Sequence, residues 1–230
     1  MDAAKVQLSQ EERTLLMNPD WILTKNSIMG KVGALLAELS ERMRESYKPQ
    51  ADSFQRSIDK SGSPLAADSL PLETGGLPLN WATPKISKGE NYKGLPWMVL
   101  DYPRAFGRED VLAIRTLFWW GHYFSMTLHL KGKYKDLFIP VIRERIALLA
   151  EAGFHISVSD DEWRHELDSD NYQPLQGNMD TAILQELVFL KLSAKCGLDR
   201  WDDASSVLLE LFRVLVTVLA PPPPLSATSY

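Results

Sequence analysis

The chain is expected to be an α+β protein, with an antiparallel meander of about four to five strands packed by N-terminal, central and C-terminal helices. Three observations predict it. Residues 122–130 alternate strictly, with His122, Phe124, Met126, Leu128 and Leu130 interleaved with Tyr123, Ser125, Thr127 and His129. The strand-like runs around this segment follow one another closely, with no room for a crossover helix. Helical apolar stripes lie before and after that block rather than between its strands.

The first 48 residues read as helical. Ser9-Gln10-Glu11-Glu12 has capping-box spacing, and Asn18-Pro19 marks a second helix start. Ile28, Val32, Leu35, Leu36, Leu39 and Met43 then form one stripe, with Lys31, Glu38, Glu41, Arg42 and Glu45 opposite. The helix is expected to stop near Tyr47, before Pro49. Residues 49–94 carry Pro49, Pro64, Pro71, Pro78 and Pro84 among Ser, Gly and Asp, and read as an irregular arm that wraps the core.

The core is expected to span 95–220. Trp97–Tyr102 is a short apolar run closed by Pro103, with a hairpin loop over 103–110. Val111–Trp120 is a second strand, and Gly121 permits the turn into the third. A helix with the buried stripe Phe138, Ile142, Ile146 and Leu149 runs from Asp136 to Gly153, a C-cap glycine. Residues 154–158 form a short strand. Ser159–Glu162 repeats the capping-box pattern and predicts a short helix to about Leu167. A polar loop spans 168–180, and Leu187–Lys195 is a further strand. The helix over 203–219 is apolar on nearly all sides, so it is deeply buried or meets a partner. Pro221–Pro224 end it, and the tail to 230 reads as disordered.

Composition narrows the function classes. Twenty-five Lys and Arg against 30 Asp and Glu give a net charge of −5, which disfavours nucleic acid as a partner because phosphate neutralisation needs a basic face. No apolar run reaches the roughly 18 residues of a membrane span, so no membrane partner is expected. One cysteine, Cys196, excludes an internal disulfide, and the start Met1-Asp2-Ala3-Ala4-Lys5 lacks signal-peptide character, so the expected location is cytoplasmic. Walker, GxGxxG, HExxH, CxxC and GxSxG patterns are all missing, and no cofactor or metal is expected. Asp168, Asp170 and Asn171 start like a calcium loop, but Gln173 replaces its glycine and Met179 its final Glu.

The chemistry-bearing feature is the polar face of the sheet. Tyr123, Ser125, Thr127 and His129 share one side, Lys191, Ser193 and Lys195 another polar row, and Asp101 and Arg115 interrupt apolar strands. Asp101, Arg115, Tyr123, Ser125, His129 and Lys191 are therefore the candidate contacts for a small polar or anionic ligand, with the 49–94 arm as its lid. The plainer reading is that an antiparallel sheet keeps one face wet. Alternatives are a non-catalytic homodimer or docking protein built on the terminal helices, and an unfamiliar enzyme using His129 or His165 as general base. His122 and His129 point to opposite faces and cannot share a metal, while His165 follows Glu162 by three positions as a helical pair would. The aromatic run Phe118–Phe124 is expected to be mainly core, with Trp119 or Trp120 lining a pocket.

Overall fold

A computed structural model describes residues 6–61, 83–179 and 181–220, the side chains of 47–61 excepted. Helix α1 (Gln10–Met17) opens with the expected capping box. Ser9 Oγ accepts the Glu12 N–H at 3.1 Å, and the Glu12 carboxylate accepts the Ser9 N–H at 2.6 Å. Asn18 then caps helix α2 (Pro19–Ser61), its Oδ1 accepting the Asp20 N–H at 3.0 Å. This helix continues past the expected stop at Tyr47. Pro49 removes one N–H, but residues 50–61 contain neither Gly nor Pro, so nothing after it breaks the helix.

Among the described residues seven strands form one antiparallel sheet: β1 (Lys85–Tyr92), β2 (Leu95–Phe106), β3 (Val111–Trp119), β4 (Tyr123–Lys131), β5 (His155–Ser157), β6 (Tyr172–Pro174) and β7 (Phe189–Gly197), in the order β1-β2-β3-β4-β7-β5-β6. The α+β class and the meander hold, and β1 and β6 are additional. β1 lies inside the segment expected to be an irregular arm. It is an edge strand held by pairing with β2, so it needs little apolar alternation to form. Residues 62–82 of that arm lie outside the described residues, as do 221–230. β2 runs through Pro103 to Phe106, with its register shifting between Asp101 and Arg104, so the hairpin loop shortens to 107–110.

The helices cover one face. Helices α2, α3 (Lys133–Glu144), α4 (Ile146–Glu151) and α6 (Ala204–Leu219), with the short α5 (Ile183–Glu186) before β7, bury Val32, Leu36, Leu39, Met43, Phe138, Ile142, Leu149, Leu184, Leu208, Phe212 and Leu215 against Leu100, Ile114, Phe118, Phe124, Met126, Leu128, Leu190 and Leu192. Each such side chain contributes about 1.5–3 kcal/mol of burial. The helix expected over 136–153 breaks at Arg145. Its guanidinium caps α6 instead, donating to the Thr217, Val218 and Ala220 carbonyls at 2.7, 3.0 and 2.7 Å. The apolar character of α6 is thus met inside the chain. Lys135 is similarly engaged, donating to the Gln185 and Leu187 carbonyls. Among the described residues no helix is long and apolar enough to cross a membrane.

The opposite face is only partly wet. Residues 158–171 leave β5 and return as β6, and they lie across β4 and β7 as a strap. No helix forms at Ser159–Glu162. Ser159 Oγ and Asp161 Oδ1 accept the N–H groups of Asp161 and Trp163 in two side-chain turns, while the Glu162 carboxylate that a capping box needs is turned onto the sheet. Under the strap, Ser125, Thr127, His129, Lys191 and Ser193 are all buried.

Candidate ligand-binding cleft

The polar face divides into two halves, one under the strap and one open. The residues expected to form one site divide with it. Tyr123, Ser125, His129 and Lys191 fall in the covered half, where all but Ser125 anchor the strap. The Lys191 ammonium, 1% exposed, donates to the Glu162 and Arg164 carbonyls at 2.9 and 2.5 Å. His129 Nε2 lies 3.1 Å from Glu162 Oε2, and Lys131 Nζ lies 2.7 Å from its Oε1. The Tyr123 hydroxyl accepts the Leu167 N–H at 2.8 Å and donates to the His165 carbonyl at 3.4 Å.

Burial, reinforced by the nearby Lys191 charge, pushes the His129 pKa down to about 4. The same causes, with Arg115, bring His165 down to about 3. Burial also lowers Lys191 to about 8, helped by Arg115. For Glu166, burial acts upward, but hydrogen bonds from Lys93 and Tyr92 outweigh it and hold the carboxyl at about 2. The two histidines give a pH prediction of definite sign. Both take up protons more readily unfolded, near 6.5, than folded, so stability is full above that value and falls as pH drops through 6.5 toward 4 and 3. Between pH 7 and pH 5 each histidine is expected to cost about 2 kcal/mol, and urea midpoints at the two pH values check it.

Asp101 and Arg115 fall in the open half and face each other across β2 and β3. They make a bidentate pair, Arg115 Nε to Asp101 Oδ1 at 2.7 Å and Nη2 to Oδ2 at 3.0 Å. The third nitrogen, Nη1, is 3.3 Å from His165 Nε2. A guanidinium only donates, so His165 Nε2 accepts and its proton sits on Nδ1. Beside this pair lies a cleft of about 640 Å³, walled by Tyr92, Trp97, Phe106 and Trp163 and floored by Val99 and Leu117. That floor is a second small apolar cluster with Trp119, separate from the main core.

Two bulges build the cleft. In β2, Tyr102 and Pro103 oppose the single Ile114 of β3, which returns Arg104 to the face of Asp101 and carries Phe106 with it. In β1, Gly89 opposes Trp97 and Tyr92 opposes Leu95, and the same extra residue brings Tyr92 round to that face. Gly89 itself leaves room for the indole, since a Cβ there would sit 2.6 Å from Trp97.

No family model, curated protein or solved structure matches this chain.

The decisive side chain in the cleft is Arg104. Its Nε is buried without an acceptor, and its guanidinium makes no hydrogen bond or ion pair among the described residues. Lys85 stands at the exposed rim. Reading the sequence missed Arg104, Tyr92, Trp97, Phe106 and Trp163. A parity count along β2 or β1 cannot see a bulge, and Trp163 arrives from the strap. The expected pair of Glu162 with His165 is not formed: Glu162 meets His129, and His165 meets Arg115. Trp119 packs with Val99 and Leu117 beneath the cleft without lining it, and stacks on His122 at 3.6 Å between ring centroids. Trp120 packs on the helix side. The Cys196 thiol is buried, and burial pushes its pKa up. Among the described residues no three His, Cys, Asp or Glu side chains gather as a metal site requires.

Proposed function

We propose that this chain is a cytoplasmic protein that binds a small anionic ligand with an apolar body, in the cleft between β1–β3 and the strap. One observation carries this reading: a buried guanidinium nitrogen with no acceptor, set among aromatic walls. Buried donors are almost always satisfied, and an orphan on a charged group is where an external acceptor belongs. The strap supports this reading as a covering element, since Trp163 and His165 come from it, and Tyr92 comes from the described end of the 49–94 segment. The anionic fluorophore 8-anilinonaphthalene-1-sulfonate tests it. Arg104→Leu is expected to weaken its binding by about 10–100-fold, the loss of a charge-assisted hydrogen bond, with the unfolding midpoint kept. Equal binding by the variant sinks the reading.

A second reading, docking of a partner or a second copy, is favoured by one other observation. Helix α1 buries no residue, and Leu15, Leu16, Met17, Trp21 and Leu23 stand exposed along it and the start of α2. On that reading sedimentation at about 10 μM, in the range of modest interface affinities, gives a dimer that Leu16→Glu dissociates. A strict monomer removes the homodimer form.

A further inference from the structure

Resting on the cleft reading above, we infer that the ligand is a monocarboxylate with a planar aromatic body, and not a phosphate. The charges in the cleft decide between the two anions. Arg115 is neutralised by Asp101, and its Nε, Nη1 and Nη2 are each engaged, so it has little left to offer a ligand. His165 is uncharged at neutral pH because burial and the Lys191 and Arg115 charges disfavour its protonation. Tyr92 is a neutral phenol whose hydroxyl donates to Glu166, which is matched by Lys93. What remains inside, among the described residues, is one unpaired cation, Arg104, with Lys85 only at the rim.

One guanidinium fork fits one carboxylate, whose two oxygens take two parallel N–H groups. A phosphate dianion asks for more. Its sites are built from helix N-termini or nests of backbone N–H groups, or from several cations. Among the described residues this cleft is lined by strands β1–β3 and the strap, with no helix.

The walls fix the rest of the molecule. Tyr92, Trp97, Phe106 and Trp163 put four aromatic side chains in the lining, Val99 and Leu117 close the floor, and Ser87 and Asn91 are its small polar members. Such walls prefer a flat apolar body, stacked or edge-on, over a hydroxyl-rich one. A volume of about 640 Å³ sits mid-range for small-molecule sites and accommodates a one- or two-ring acid.

The test is calorimetric titration of the full chain at neutral pH with three probes of one ring system: 2-naphthoate, 2-naphthyl phosphate and the neutral 2-naphthamide. The expected result is that 2-naphthoate binds at least about 10-fold more tightly than either of the others, and that Arg104→Leu abolishes its advantage over the amide. Phosphate binding as tight as or tighter than the carboxylate overturns this inference and leaves the anion-cleft reading standing. Amide binding equal to the carboxylate in the unaltered protein, or no binding of any probe, overturns both.

Discussion

Replacing Asp101 by alanine is expected to destabilise the protein by about 3–5 kcal/mol, because it strands the Arg115 guanidinium in a site it shares with no other acid. Asp101 is 5% exposed, and both its oxygens are matched to Arg115 nitrogens. Removing one member of a buried ion pair leaves the partner desolvated and uncompensated. Removing both is far milder, since two desolvation penalties disappear with the attraction. Asp101→Ala with Arg115→Leu should therefore recover most of the loss in urea unfolding. If the double variant were no more stable than Asp101→Ala alone, the pair would not be coupled as the geometry requires. The same variants test the cleft. Arg115 also fixes the His165 tautomer, so its loss frees Nε2 while leaving Arg104 in place.

Phe212→Ala is expected to cost a similar amount, about 3–5 kcal/mol, by a different physical route. Phe212 is fully buried on α6 and stacks on Tyr102 of β2, with ring centroids 6.4 Å apart and planes at 24°. Truncation removes its burial energy and leaves a cavity between helix and sheet that well-packed neighbours cannot close. The measurement is again the urea midpoint, with the slope of the transition unchanged. Phe212→Leu should recover more than half of the loss, because most of the volume returns. A loss below about 1 kcal/mol for the alanine variant would mean the α6–sheet contact is looser than its burial implies.

The helix-packed side of this molecule was legible from its residues, and the contrast with the other side has a physical cause. On β4, every second residue from Phe124 to Leu130 is buried against helices, and period two is all that is needed to see it. The stripe on α2 and the capping box at Ser9 are equally local signals. The polar row was identified, but its environment was not. Ser125, Thr127, His129 and Lys191 resemble a solvated face in composition, and only the path of 158–171 buries them. That path depends on long-range hydrogen bonds between Lys191 and two carbonyls, for which no short-range pattern exists. Of the residues expected to meet a ligand, Asp101 and Arg115 border the cleft, and the other four lie beneath the strap. Arg104 and Tyr92 stayed invisible because each follows a bulge, where face assignment by alternation inverts.

That inversion makes the bulge itself a determinant of the site. In most hairpins an added or lost residue is absorbed at the tip, and here the loop 107–110 has that freedom. Between Asp101 and Arg104 the extra residue is held in the bulge instead. Flattening that bulge with both residues kept would slip the register by one and turn Arg104 and Phe106 to the side of Leu100 and Leu112. A guanidinium would then enter the apolar core while the cleft lost both its cation and one wall. Deleting Tyr102 or Pro103 would instead straighten the ladder with Arg104 still opposite Ala113, on the cleft face.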